Sequence, residues 1–226
     1  MRLLRGRASD HERDYARTRE LVDRVAAEGV PALRVWTPHR QVAFGRRDRR
    51  ADGYDDARAA AAERGYAVLE RSVGGRAVAY TGSTVAFALA EPVDDGRDSI
   101  DARYDRVAAA VEAALADCGV DAREGEPPES FCPGTHSLRA GGKVAGLAQR
   151  VRQDAALTAG IVLVRDHDAV GAVLAPVYDA LGVQFDPATV GSVARAGGPD
   201  DPEHVVDALE RALVGERPVE TTETVG

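Results

Sequence analysis

Helical and strand-like stretches follow one another irregularly along this chain, and that order constrains the fold more than any single residue does. Residues 101–118 carry the clearest helical stripe, with Tyr104, Val107, Val111, Leu115 and Cys118 recurring at spacings of three and four. Residues 12–28, 54–64, 167–181 and 202–214 read as further helices. Gly29 and Gly65 stop the first two, Pro176 marks a kink or end in the third, and Pro202 opens the last. The strand-like stretches come in pairs. Residues 32–44 break at Thr37-Pro38, 76–80 and 84–90 flank Thr81-Gly82-Ser83, and 143–151 precedes 157–164; a short strand at 66–70 stands between. Helices at intervals with hairpin-like strand pairs between them predict an α+β fold: a largely antiparallel mixed β-sheet flanked by helices, not a succession of βαβ units. With 226 residues, no internal repeat and no long linker, 1–226 reads as a single domain whose polar tail, 215–226, is frayed.

Several function classes are excluded. No apolar run approaches the ~18 residues of a membrane span. Met1-Arg-Leu-Leu-Arg-Gly-Arg lacks the apolar stretch of a secretory signal, so a cytoplasmic location is the default expectation. Two cysteines, Cys118 and Cys132, make neither a disulfide scaffold nor a Cys-rich zinc site. The histidines at 11, 39, 136, 167 and 204 lack ligand spacing and read as surface residues, so no metal site is expected. A formal net charge of -8 argues against nucleic acid as a partner, because phosphate demands cationic patches. The Gly-Lys at 142–143 is no P-loop, since Ser137 and Val144 stand where that motif needs Gly and Ser or Thr.

Among 29 basic residues only Lys143 is lysine. The absence of Asn and the two isoleucines fit a GC-rich genome, and carboxylate excess with almost no lysine fits a halophile's high-salt cytoplasm. Whatever replaced lysine elsewhere spared Lys143. The two cations differ where a compact ammonium must enter a tight site, because guanidinium is a broad planar fork. Lys143 lies in Gly141-Gly-Lys-Val-Ala-Gly-Leu-Ala-Gln-Arg150. On a regular strand Lys143, Ala145 and Leu147 share one face, and Val144, Gly146 and Ala148 the other. A second glycine-rich segment, Arg71-Ser-Val-Gly-Gly-Arg-Ala-Val-Ala-Tyr80, combines close backbone approach with cationic flanks, or is a plain Gly-Gly hairpin.

At these two segments the sequence resembles the lipoate–protein ligase and octanoyltransferase family, whose catalytic domain is shared with biotin–protein ligases. Arg71–Tyr80 is similar to the family's R-R-x-S-G-G-G/R-A-V-x-H, and Gly141–Arg150 to its G-x-K-x-x-G-x-A-Q-x. Leu33-Arg-Val-Trp-Thr-Pro with Val42-Ala-Phe-Gly45-Arg is similar to its first strand pair. Glu70 replaces the usual first Arg, Tyr80 the usual His, and Ala159-Gly160 a common His-Gly.

The resemblance implies attachment of lipoate or octanoate to a lysine of a small carrier domain. As a ligase the chain would use ATP and Mg²⁺ through an acyl-adenylate, with Lys143 on the carboxylate and Arg71 and Arg76 facing phosphate. Gly74 and Gly75 would present backbone N–H groups. Ala145, Gly146 and Ala148 would line the acyl slot, and Gln149 would meet a polar group. As an ATP-independent transferase it would need no cofactor and would use Cys132, eleven residues before Lys143, as a thioester nucleophile. A non-catalytic ligand-binding homologue is the reading of another class, and biotin a weaker substrate option. The implied partners are lipoyl carrier domains of 2-oxoacid dehydrogenase complexes or the glycine cleavage protein, with a separate accessory chain also possible.

Overall fold

The computed structural model describes residues 1–71, 75–93 and 99–225. The helices form within a residue of their expected ends: α1 (His11–Glu28), α2 (Tyr54–Glu63), α3 (Ile100–Asp117), α4 (His167–Ala180) and α5 (Pro202–Val214). Their ends have local causes. The Asp10 carboxylate accepts the Arg13 N–H at 2.8 Å to start α1, and Gly29 at φ 69 ends it. Ser99 caps α3 and Asp201 caps α5. Pro176 lies inside α4 and does not end it. Burial of Val173, Leu174, Val177 and Tyr178 around it carries the helix past the missing N–H.

The strands are β1 (Arg2–Arg5), β2 (Ala32–Trp36), β3 (Gln41–Phe44), β4 (Ala67–Glu70), β5 (Val78–Tyr80), β6 (Thr84–Pro92), β7 (Arg123–Glu124), β8 (Ser137–Arg139), β9 (Lys143–Val151), β10 (Ala155–Leu163) and β11 (Thr221–Thr224). Eight form a sheet in the order β11-β1-β2-β6-β10-β9-β8-β7, antiparallel from β2 to β7 and parallel at β11-β1-β2. Three form a smaller sheet, β4-β3-β5. The fold is thus the expected mixed, largely antiparallel α+β arrangement.

Two expectations are corrected. The tail is not simply frayed: Thr221–Thr224 pairs with Arg2–Arg5, and Val225 donates its N–H to the Arg5 carbonyl at 2.8 Å. The side chains of Thr221–Thr224 are exposed, so the strand carries no apolar signal; backbone pairing orders it, helped by Arg24, which donates to the Glu223 carboxylate at 3.0 Å, and by the burial of Val225. Two of the hairpin-like pairs are not hairpins. β2 and β6 belong to the large sheet, whereas β3 and β5 belong to the small one. The chain changes sheet at 37–40 and again at 81–83, and two βαβ crossovers occur, α1 linking β1 to its parallel neighbour β2 and α2 linking β3 to its parallel neighbour β4.

The central strand β6 shows how the layers divide. Val85, Phe87 and Leu89 enter a core with α3 and α5, while Ala86, Ala88 and Ala90 face α1 and the small sheet. The alanine face leaves space, and Ala159, paired with Ala88, extends it; Gly160 lies on the opposite face, where a Cβ would collide with the Phe87 ring. α1, the small sheet and the 125–136 loop surround this face without filling it. Among the described residues no helix is long and apolar enough to cross a membrane.

Candidate functional site

The space left over the alanine face is a cleft of about 650 Å³. Lys143, Cys132, Arg71, Gly75, Gly146, Ala148 and Gln149 all line it, so the two glycine-rich segments and the cysteine loop converge as expected. Gly74 lies outside the described residues.

Ala145 is a correction. It is fully buried in the core on the α3 and α5 side, together with Val144. The reason is a bulge. Ala145 pairs with Leu138 and Lys143 with Arg139, so β9 spends one extra residue, Val144, against β8. That residue breaks the two-residue alternation and brings Lys143 to the side of Gly146. A Cβ on Gly146 would stand 3.3 Å from the Lys143 Cε.

Lys143 is 1% exposed. Its Nζ donates to the carbonyls of Phe131 and Cys132, both at 2.9 Å, and to the Glu126 carboxylate at 3.0 and 3.2 Å. Burial lowers its basicity, opposed chiefly by Glu126. Glu126 also accepts from the hydroxyls of Ser130 and Ser137 and from the Gly134 N–H at 3.1 Å. Burial alone would raise this carboxyl, but those hydroxyls and Lys143 hold it below the ordinary carboxylate value. Lys143 is therefore a cross-tie under the cysteine loop, compact enough to meet acceptors from several directions.

That loop holds Cys132 at φ 41, in the left-handed region. The Cys132 N–H donates to the Tyr178 Oη at 2.6 Å, and the Tyr178 hydroxyl donates to the Ala77 carbonyl at 3.0 Å. The sulfur faces donors: the Arg71 Nη2 at 3.2 Å and the Arg76 N–H at 3.4 Å. Burial would push the thiol up. The Arg71 guanidinium, then the Arg76 N–H, Lys143 and the Gly75 N–H outweigh it, and the thiol lies below its ordinary value. Cys118, by contrast, is buried in the α3 core, and burial raises its thiol.

The remaining candidates divide. The Arg76 side chain does not line the cleft; it pairs with buried Asp48 at 3.4 Å, and only its backbone serves the sulfur. Asp48 also accepts the Gly45 N–H at 2.9 Å. Gly45 has to be glycine, since a Cβ would strike the Gly75 carbonyl. The Gln149 side chain donates to Thr158 at 3.0 Å, while its buried Oε1 has no partner among the described residues. Glu70 turns outward to Arg49 and Tyr54, at 2.8 and 3.1 Å. Tyr80 lines the cleft beside Arg71. His136, read as a surface residue, lines the cleft too, stacked on Tyr104. Sequence reasoning missed Glu126, Asp48 and Tyr178. The one available signal was that a buried lysine requires a carboxylate, and Glu126 stands in the loop before it. Among the described residues no group of His, Cys, Asp or Glu is placed to hold a metal.

The chain is similar to an octanoyl-[GcvH]:protein N-octanoyltransferase of Geobacillus kaustophilus, 31% identical over 126 residues, which are 55% of this chain and 44% of that protein. It is similar to a lipoyl-[GcvH]:protein N-lipoyltransferase of Listeria monocytogenes, 27% identical over 145 residues, 63% of this chain and 52% of that one. The chain thus spans about half the length of the curated relatives it matches. A crystal structure of lipoate-protein ligase A bound with ATP superposes at a TM-score of 0.77 with 22% identity, covering 100% of this chain and 89% of that one, which is a likeness of fold. The description "lipoyl protein ligase A/B catalytic domain" matches residues 10–214, nearly the whole of the layered core and its cleft, and the chain belongs to that family.

Proposed function

We propose that the protein is an ATP-independent acyltransferase: it moves an octanoyl or lipoyl group from a lysine of a GcvH-type carrier to a lysine of another carrier domain, through a thioester on Cys132. The observation that carries this reading is the seat of the Cys132 sulfur, on the cleft wall against the Arg71 guanidinium and the Arg76 N–H. A thiol held below its ordinary value presents more of the thiolate, its nucleophilic form, at a given pH. Cys132 attacks the acyl carbonyl carbon, the C–N bond of the donor breaks, and the acyl chain lies over Gly146, Ala148 and the alanine face. The Arg71 guanidinium stands beside the sulfur at 3.2 Å, where its positive charge favours the negative charge that develops at the acyl centre. The acceptor amine then attacks the thioester and the thiolate departs. The relatives' names, which place octanoyl- and lipoyl-GcvH as donors, support the choice of carrier.

The ligase reading, with ATP and Mg²⁺, fits these residues less well. The arginines meant for phosphate are engaged, Arg71 with Cys132 and the Arg76 carbonyl, and Arg76 with Asp48. Lys143, meant for the substrate carboxylate, already holds Glu126. The test is octanoyl transfer from an octanoylated GcvH-type carrier to an apo lipoyl domain without ATP. Transfer should proceed, and Cys132→Ser should lower it by about 10³-fold or more with the fold unchanged. Acylation that requires ATP and free acid would overturn the reading.

A further inference from the structure

We infer that His136 is a further catalytic residue, the acid that protonates the departing lysine amine and the base that relieves the incoming one of its proton. The inference rests on the acyl-transfer reading above. His136 follows Cys132 by four residues on one loop, and both line the cleft. The imidazole is held in place. Its Nδ1 stands 3.2 Å from the Glu124 carboxylate, and its ring stacks on Tyr104 at 3.8 Å with 12° between planes. Its carbonyl accepts the Leu147 N–H at 3.0 Å. The supports are themselves tied: the Tyr104 hydroxyl accepts the Gln149 N–H at 2.7 Å, and the Glu124 N–H donates to Glu112 at 3.1 Å. With Nδ1–H donating to Glu124, Nε2 is left without a partner among the described residues, on a side chain 20% exposed.

The chemistry needs such a group. An amide nitrogen does not leave as an anion; it must gain a proton as the C–N bond breaks. The Arg71 guanidinium does not give one up. The Lys143 ammonium is committed to Glu126 and two carbonyls. In the first step the Cys132 thiolate forms the C–S bond, the C–N bond breaks, and protonated His136 gives its Nε2 proton to the departing nitrogen. In the second the acceptor amine forms the new C–N bond, the C–S electrons return to sulfur, and neutral His136 takes the proton the amine sheds. Charge and proton are restored after both steps.

Leaving groups separate this role from a structural one. On an octanoylated carrier, whose lysine must leave with a proton, His136→Gln should lower transfer by about 10²–10⁴-fold. With p-nitrophenyl octanoate, whose phenolate leaves without a proton, the burst of Cys132 acylation by the same variant should be unchanged. Wild-type transfer from the carrier by His136→Gln would overturn the proposal, and so would an equal loss on both donors. If the wild-type protein itself shows neither burst nor transfer, the acyl-transfer reading fails and this inference with it.

Discussion

Two buried ion pairs flank the cleft, and they are built differently. On one side Arg34, 0% exposed, holds Asp14. Its guanidinium donates to the Asp14 carbonyl at 2.9 Å, to Thr18 at 3.3 Å and to the Gly6 carbonyl at 3.0 Å, and stacks over Trp36 at 4.1 Å. Trp36 completes the set by donating its indole N–H to Asp14 at 3.0 Å. On the other side Lys143 holds Glu126 and two loop carbonyls. The planar fork spreads its bonds over a helix, a loop and an aromatic face, so it locks α1 onto β2. The compact ammonium concentrates its bonds on one loop, the one that carries Cys132. Similar electrostatics thus serve two ends: the arginine pair holds α1 on the sheet, and the lysine pair holds the loop that carries Cys132.

The largest effect is expected where the comparison can be broken outright. Asp14→Ala leaves Arg34 as an unpaired buried cation and should cost about 3–5 kcal/mol of stability. At about 2–4 °C per kcal/mol for a chain of this size, thermal unfolding would register it clearly. The rate at which iodoacetamide alkylates Cys132 in the folded variant should stay the same. A parallel loss of thiol reactivity would mean that the two nodes are one. Lys143→Arg is the sharper probe of the other side. The broader fork overfills a closed site, at about 1–3 kcal/mol, and it shifts the Phe131–Cys132 backbone. Displacing a nucleophile by about an ångström costs on the order of 10²-fold in rate, which carrier-to-carrier transfer would measure. Wild-type transfer by this variant would remove Lys143 from the positioning of Cys132.

The smallest effect concerns Arg71, which faces the sulfur. Arg71→Met removes the main influence holding the thiol down, so the pH midpoint of Cys132 alkylation should move up. Transfer should fall by about 10- to 100-fold, the equivalent of a charged hydrogen bond of about 1.5–3 kcal/mol. The sign for stability follows. The wild-type thiol titrates lower folded than unfolded, so the thiolate contributes stability above the unfolded value and loses it as pH falls through the folded one. Arg71→Met should flatten that dependence in denaturant titrations between neutral and alkaline pH. An unmoved alkylation midpoint would show that Arg71 does not govern the sulfur.

What was legible in the sequence was whatever repeats. The helices carry a period and end signals, and all five appeared within a residue of expectation. β9 and β10 pair as adjacent long strands, where alternation and proximity agree. What was illegible depends on partners brought together from afar. β1 and β11 lie at opposite ends of the sequence and pair through backbone bonds that no apolar pattern announces. The sheet changes at Pro38 and Gly82 look locally like hairpin turns. At the site, glycine and lysine spacing exposed one wall, but the extra residue at Val144 reversed the face of Ala145, and no short-range pattern announces a bulge. Glu126, Tyr178 and Asp48 bind through contacts that spacing cannot encode.

The left-handed backbone at Cys132 has a consequence for anyone improving this protein. A side chain with a Cβ pays about 1–2 kcal/mol there, whereas glycine would be at ease. Selection for ruggedness alone, in a laboratory library or by design, would therefore favour discarding this residue early. On the acyl-transfer proposal, the hardiest descendants of such a search would be well-folded proteins without their nucleophile, so the search has to be scored on turnover from its first round.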